Sequence, residues 1–262
     1  MLETEIHNLS IREAVEDGYP SSFTTFPAHS KAVDLSKVKT NADGEFNEKD
    51  LAKAVNVHER NLGALKLYQE AFMGETAVVY CVGVKHAETV AELFNTAGTS
   101  ATYIEGNMSE GQRKQILKDY HDGKIKVLFS ADLLIVGFDE QSASVCLNLR
   151  PTRSQVVAEQ RGGRVLRVDD NNPWKHAYIV DFVDKGAEKS GMVLFSKVAN
   201  GTHIEHKPKG TREGGGGRGG GKRVDLSKIK VEGLEVVVET GEIMELQAKL
   251  DRPEKSRKSR ID

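Results

Sequence analysis

Only two cysteines, Cys81 and Cys146, occur among the 262 residues, and each stands inside an apolar run that reads as a buried strand. That pattern excludes a disulfide-built fold and suits reduced thiols in a reducing compartment. With no CxxC or CxxH pairing, the cysteines offer no zinc site. His203-x-x-His206 has the spacing to hold a metal on a helix, but it sits in a polar, proline-bounded stretch without a third ligand and reads as surface. No stretch approaches the ~20 consecutive apolar residues that a membrane span requires, and the first residues lack a basic region followed by an apolar one. The expected location is cytoplasmic, with no membrane partner. A strong net charge is missing as well: the formal charge of -2 gives no global attraction to nucleic acid, so any such binding must come from local basic patches. Apolar residues are also scarce, at 38%. Together with 25 glycines and 29% charged residues, this implies that part of the chain is disordered and lies outside any core.

What is present is a regular alternation, between about residues 58 and 183, of apolar runs of strand length with amphipathic segments of helix length. It predicts a three-layer α/β domain with a mostly parallel sheet. Strands are expected at 76–82, 101–105, 126–130, 144–149 and 176–182, rich in Val, Ile, Tyr or Phe. Helices are expected at 58–72, 86–97, 109–121 and 154–168, and Ser109 followed by Gln112 predicts a capping box. Residues 1–57 are mixed and polar and read as a connecting arm, 58–205 as the domain. In 206–223, Lys207, Lys209, Arg212, Arg218, Lys222 and Arg223 face only Glu213, giving a glycine-rich basic linker that cannot fold alone. Residues 224–262 read as a flexible tail, ordered in part at most, with a strand at 234–239 and an amphipathic stretch at 243–250. Two near-identical octads, Val33-Asp34-Leu35-Ser36-Lys37-Val38-Lys39-Thr40 and Val224-Asp225-Leu226-Ser227-Lys228-Ile229-Lys230-Val231, flank the domain. A single short repeat does not define a solenoid.

The most specific run is Gln160-Arg161-Gly162-Gly163-Arg164-Val165-Leu166-Arg167. At about 100° per residue, Gln160, Gly163, Arg164 and Arg167 share one polar, positive helical stripe. A glycine there lets another group approach the backbone, although each glycine costs about 1 kcal/mol of helix propensity relative to alanine. Two guanidiniums beside such a gap suit a phosphate. An ordinary solvated arginine face would have the same spacing. The run resembles motif VI of superfamily 2 helicases, Q-x-x-G-R-x-x-R, in the branch of the excision-repair and restriction-motor DEAD/DEAH-type enzymes. The resemblance implies that Arg164 and Arg167 act as arginine fingers on the γ-phosphate of ATP held by another lobe, with Gln160 and Gly163 at the same interface.

The stretch from Val127 to Asp139 resembles motif V of that family, and ligands of parallel sheets sit beyond the carboxyl ends of strands. The likeness implies nucleotide contacts for Gly137 and Asp139 and nucleic-acid contacts for Ser130 and Asp132; Val136 stands where the branch usually has Glu. Ala77 to His86 resembles motif IV and Glu105 to Arg113 the motif after it, making Lys85, Gly106 and Asn107 candidates for holding phosphates without reading bases. Loops of this kind also occur with no ligand at all. Ile11 to Tyr19 resembles the passage out of the first lobe, so that the likeness spans roughly residues 10–205. Neither G-x-x-x-x-G-K-[S/T] nor a D-E-x-[DH] box occurs. Gly216 to Lys222 has the glycines and lysine, but Arg223 replaces the required hydroxyl. The expectation is a second motor lobe that shares ATP with an absent first lobe, in cis or in trans, leaves Mg2+ mainly to that lobe, and contacts single-stranded or duplex nucleic acid. A non-catalytic nucleic-acid-binding module or a truncated helicase relic is the alternative.

Overall fold

Period-two alternation along the short apolar runs sends successive side chains to opposite sides of a sheet, so a strand buried on both sides needs helices on both. The computed structural model describes residues 22–131, 141–167, 169, 172, 175–200, 224 and 229–236. Among the described residues, seven strands, β1 (Ser22–Asp34), β2 (Ala77–Tyr80), β3 (Ala101–Ile104), β4 (Val127–Ser130), β5 (Val145–Asn148), β6 (His176–Lys185) and β7 (Leu234–Val236), form one sheet in the order β3-β4-β2-β5-β6-β1-β7. All neighbours run parallel except β7, which is antiparallel to β1. Helices are α1 (Glu48–Val55), α2 (His58–Ala71), α3 (Gly83–Thr96), α4 (Glu110–His121), α5 (Gln155–Val165) and two short ones, α6 (Ala187–Ser190) and α7 (Phe195–Asn200).

Val79, Phe129, Leu147 and Val180 pack on one face against Leu65 and Tyr68 of α2 and Val90 and Phe94 of α3. Val78, Leu128, Cys146 and Ile179 pack on the other against Tyr120 of α4, Val165 of α5 and Phe195 of α7. The result is the expected three-layer, RecA-like α/β domain. All five expected strands form, β6 running on to Lys185. The capping box forms too: the Gln112 amide donates to Ser109 Oγ (3.3 Å) and the Ser109 amide to Gln112 Oε1 (3.0 Å).

One expectation changes. Residues 22–57 are not an arm outside the domain: β1 lies inside the sheet, paired with β6 from Ser22 opposite His176 to Ser30 opposite Asp184. Beyond β1, Leu35 in a 3-10 turn (Leu35–Lys37) and Leu51 and Val55 of α1 build a third apolar cluster over the end of the sheet. Val231, before β7, and Leu234, its first residue, pack on the core on the α2 side. The 206–223 linker and the 243–250 stretch lie outside the described residues. Among the described residues no helix is long and apolar enough to cross a membrane.

The core holds charge. Arg60 of α2 and Asp184 of β6 have side chains fully shielded from solvent and form an ion pair. Arg60 Nε lies 3.0 Å from both carboxylate oxygens, Nη1 donates to the Leu149 carbonyl (3.0 Å), and the guanidinium sits 5.5 Å over the Phe182 ring. Removing one partner of a buried pair strands the other charge, so Arg60→Leu is expected to cost about 3–5 kcal/mol, while Arg60→Met with Asp184→Leu recovers most of it. Urea unfolding checks this; a single-variant loss below about 1 kcal/mol contradicts it.

His86 of α3 is buried beside this pair. Its Nδ1 accepts from the Val82 amide (3.2 Å), so Nε2 carries the proton toward Asn61 Oδ1 (3.0 Å). Burial first, and the Arg60 charge second, hold its pKa down to about 3. Because the folded value lies below the unfolded one of about 6.5, the unfolded chain binds the extra proton between them. The neutral ring's stabilisation is complete above about pH 6.5 and fades toward pH 3, by roughly 1.4 kcal/mol per unit. The stability gap between wild type and His86→Gln should therefore narrow as pH falls from 7 to 4 in urea titrations; a constant gap contradicts the linkage.

Candidate functional site

The carboxyl ends of the parallel strands, where loops are free of the ladder, gather the candidate residues. Between β5 and α5 the chain runs Leu149-Arg150-Pro151-Thr152-Arg153-Ser154, and Ser154 Oγ caps α5 by accepting from the Val157 amide (3.3 Å). Glu45, from the turn before α1, clamps this loop: its carboxylate accepts from Thr152 Oγ1 (2.7 Å) and from the Arg153 amide (3.0 Å). The Arg153 guanidinium answers by donating to the Gly44 carbonyl. Arg161, inside the motif VI run, is buried. Its Nη1 donates to the Arg150 carbonyl (2.8 Å), and it lies 5.4 Å over the Tyr80 ring. Burial, followed by the like charge of Arg150, lowers its pKa to about 10. Arg150 Nη1 in turn reaches the Ala131 carbonyl at 3.4 Å, just past the end of β4. The motif VI helix is thus tied to the first residue of the motif V loop.

Gln160, Gly163 and Arg164 lie on α5, Gln160 exposed and the other two half-exposed. Arg164 stands near the end of β2: burial, then Cys146, push the Tyr80 hydroxyl upward, while Arg164 and Arg161 pull it down. The helix does not continue to 168. It ends at Val165, with Leu166 as its cap, and exposed Arg167 lies beyond it, off the expected stripe. Tertiary packing is the reason, because Val165 and Leu166 are drawn into the core and a turn, in which the Asn172 amide donates to the Asp169 carbonyl (3.0 Å), leads back to β6. The two glycines differ sharply. A Cβ on Gly162 would stand 2.2 Å from the Phe195 ring, whereas one on Gly163 would meet nothing within 4 Å.

Of the nucleic-acid candidates, Ser130 is buried at the end of β4. Lys85 sits exposed in the first turn of α3, paired with Glu88 at 2.9 Å, which raises its pKa. Gly106 and Asn107 are exposed between β3 and α4, where Arg113 Nη2 donates to the Gly106 carbonyl (3.1 Å). Asp132, Gly137 and Asp139 lie outside the described residues. Sequence reasoning missed Glu45, Arg150 and Arg161. Beside them, only Ser154 carried a local signal, as the capping residue of a helix start.

A parallel sheet covered by helices on both faces, with an arginine-bearing helix at the carboxyl ends of its central strands, defines a RecA-like α/β domain. Residues 61–169 match the helicase conserved C-terminal domain. The chain is similar to "Putative ATP-dependent helicase IRC3" of Saccharomyces cerevisiae, with 27% identity over 199 residues, covering 74% of this chain and 28% of that protein. It is also similar to a 51.5 kDa protein of a Lactococcus phage, with 28% identity over 153 residues, covering 58% of this chain and 32% of the other. The chain thus matches about three-tenths of the length of these relatives. Among solved structures, the Escherichia coli DEAD-box protein SrmB aligns with a TM-score of 0.47 and 18% identity, covering 65% of this chain and 82% of that one.

The glycine pair supplies a test independent of activity. Gly162→Ala should destabilise by about 1–3 kcal/mol or more, because the Phe195 ring has to move within a packed core. Gly163→Ala should be neutral or stabilising by up to about 1 kcal/mol, through helix propensity alone. Thermal melting separates them; equal losses would contradict the two environments.

Proposed function

We propose that this chain is the second motor lobe of an ATP-dependent nucleic-acid helicase or translocase, with Arg164 as the leading arginine finger. The observation that carries the reading is the open face of α5 at Gly163, beside a half-exposed Arg164, while neighbouring Gly162 is packed shut. A phosphate can approach there without displacing a side chain, so these residues fit a nucleotide shared with a first lobe. ATP would supply the phosphoryl group, with Mg2+ held mainly by that first lobe. Arg164 would meet charge on the phosphoryl oxygens, and buried Arg161, through its bond to the Arg150 carbonyl, holds the helix that presents it. Arg167, beyond the end of the helix, would reach the same cleft from a turn. Gln160 lines the approach, and Gly137 and Asp139 belong to the nucleotide side by resemblance. Lys85, Gly106, Asn107, Ser130 and Asp132 would contact the nucleic-acid backbone. The names of IRC3 and of the related RNA helicases eIF4A and DRS1 support an ATP-driven activity on nucleic acid.

The chain alone should show no ATP turnover above background, because it contains no phosphate loop or acidic magnesium box. Supplied with a first lobe, it should turn over, and Arg164→Ala should lower that turnover by about 10³–10⁵. Arg164→Lys should be nearly as damaging, since lysine keeps the charge but loses the planar fork. Steady-state phosphate release, with thermal melting to confirm folding, measures both. If turnover stays within about threefold of wild type for Arg164→Ala but is abolished by Arg167→Ala, the leading finger is misassigned. If neither variant matters, the motif VI reading fails.

A further inference from the structure

The lysines of this chain are not distributed alike. Those described on α2, α3 and α4 are largely committed to carboxylates: Lys66 to Glu232, Lys85 to Glu88, Lys114 to Glu110 and Lys118 to Asp122. Around the carboxyl ends of β1 and β6 the pattern reverses. There the ladder breaks between Ser30 and Asp34, pushing Lys31 and Ala32 out to solvent. Three adjoining grooves open at the break. One of about 510 Å³, between the 3-10 turn and α1, is lined by Lys37, Lys39 and Lys53. Two more, of about 430 and 520 Å³, are lined by Lys31, Lys185 and Lys189. All six lysines are exposed, and none makes an ion pair among the described residues. One of the nearby acids is neutralised and another is hydrogen-bonded but still charged. Asp184 is buried on Arg60, and the Asp34 carboxylate accepts from the Ser36 hydroxyl (2.6 Å) and amide (3.1 Å). Asp34 keeps its negative charge beside Lys185 and Lys37, and with Asp50, Glu188 and Glu235 it makes four charged carboxylates on the grooves against six lysines.

In a chain of formal charge -2, six lysines against four charged carboxylates on one rim leave a local excess of positive charge that the composition hides. The first octad explains part of it. Val33 and Leu35 turn inward, Asp34 is tied to Ser36, and Lys37 and Lys39 are left pointing to solvent.

We propose that this rim is a second binding surface for a nucleic-acid sugar-phosphate backbone, continuing along the carboxyl edge from the loops of β2, β3 and β4. The identity of the partner rests on the helicase reading. Lysines suit it because they are flexible point charges that meet phosphates without demanding a fixed geometry. Position suits it as well: five strand spacings of about 4.8 Å separate β3 from β1, a span of about 24 Å. At roughly 3.4 Å per phosphate along a helical strand, one strand of about seven nucleotides can touch both ends of the edge.

The test is fluorescence anisotropy of a labelled 20-nucleotide single strand with the full chain, titrated at several salt concentrations. The combined Lys37→Gln, Lys39→Gln, Lys53→Gln variant should bind more weakly. The slope of log affinity against log salt should become shallower by about 2, three contacts at ~0.7 each. These side chains are exposed, so thermal melting should be unchanged. Lys85→Gln serves as the separate probe of the loop site. If the triple variant keeps both affinity and slope while Lys85→Gln weakens binding, the rim proposal fails and the helicase reading stands. If wild type shows no salt-dependent binding to the strand, both fail. If poly-glutamate displaces the strand from the rim at equal charge concentration, the surface suits acidic protein instead, and the proposal is overturned.

Discussion

The buried contact between Arg60 and Asp184 is the constraint on which the arrangement of the carboxyl edge depends. Low local dielectric makes a charge here intolerable unless every partner is in place, and the partners come from three elements. The guanidinium belongs to α2, the carboxylate to β6, and the third acceptor is the Leu149 carbonyl at the end of β5. Fixing that carbonyl fixes where the next residue begins. Arg150 gives its own carbonyl to Arg161 and its guanidinium to the Ala131 carbonyl. A continuous series of polar contacts therefore runs from a helix on one face of the sheet, over its edge, to the helix on the other face that bears Arg164.

The parts of this architecture legible in the sequence are those whose cause is local. β2, β4 and β5 are short runs buried on both sides, so their apolar character is unbroken. The start of α4 is specified within four residues by Ser109 and Gln112. β1 is different, because Thr24, Thr25 and Ser30 are buried along with Phe23 and Phe26, and no apolar pattern marks it as a strand. Its membership in the sheet comes from a partner 152 residues away, as between Thr24 and His176. Arg60 likewise reads as one more charge on an amphipathic helix until Asp184 is brought beside it.

The candidate site shows the same division. Spacing alone puts Gln160, Gly163 and Arg164 on one face, and helical geometry suffices for that. Where the helix stops is decided elsewhere, by the burial of Leu166, and so Arg167 leaves the stripe. Adjacent glycines are indistinguishable as letters. Only the position of Phe195, held by a bond from its amide to Asp181 (2.7 Å), decides that one of them accommodates packing and its neighbour leaves space.

The place of β1 between β6 and β7 also dictates an order of assembly. During synthesis at about 5–20 residues per second, β1 waits roughly 8–30 s before its first neighbour, β6, has left the ribosome. β7 follows later still, from beyond residue 233. Throughout that interval Phe23, Phe26 and Ala28 have no sheet to enter, and a lone strand with open edges is what chaperones recognise and aggregates recruit. Closing contacts of such high sequence separation also slows the final folding step. The earliest of the described strands is therefore inserted last but one.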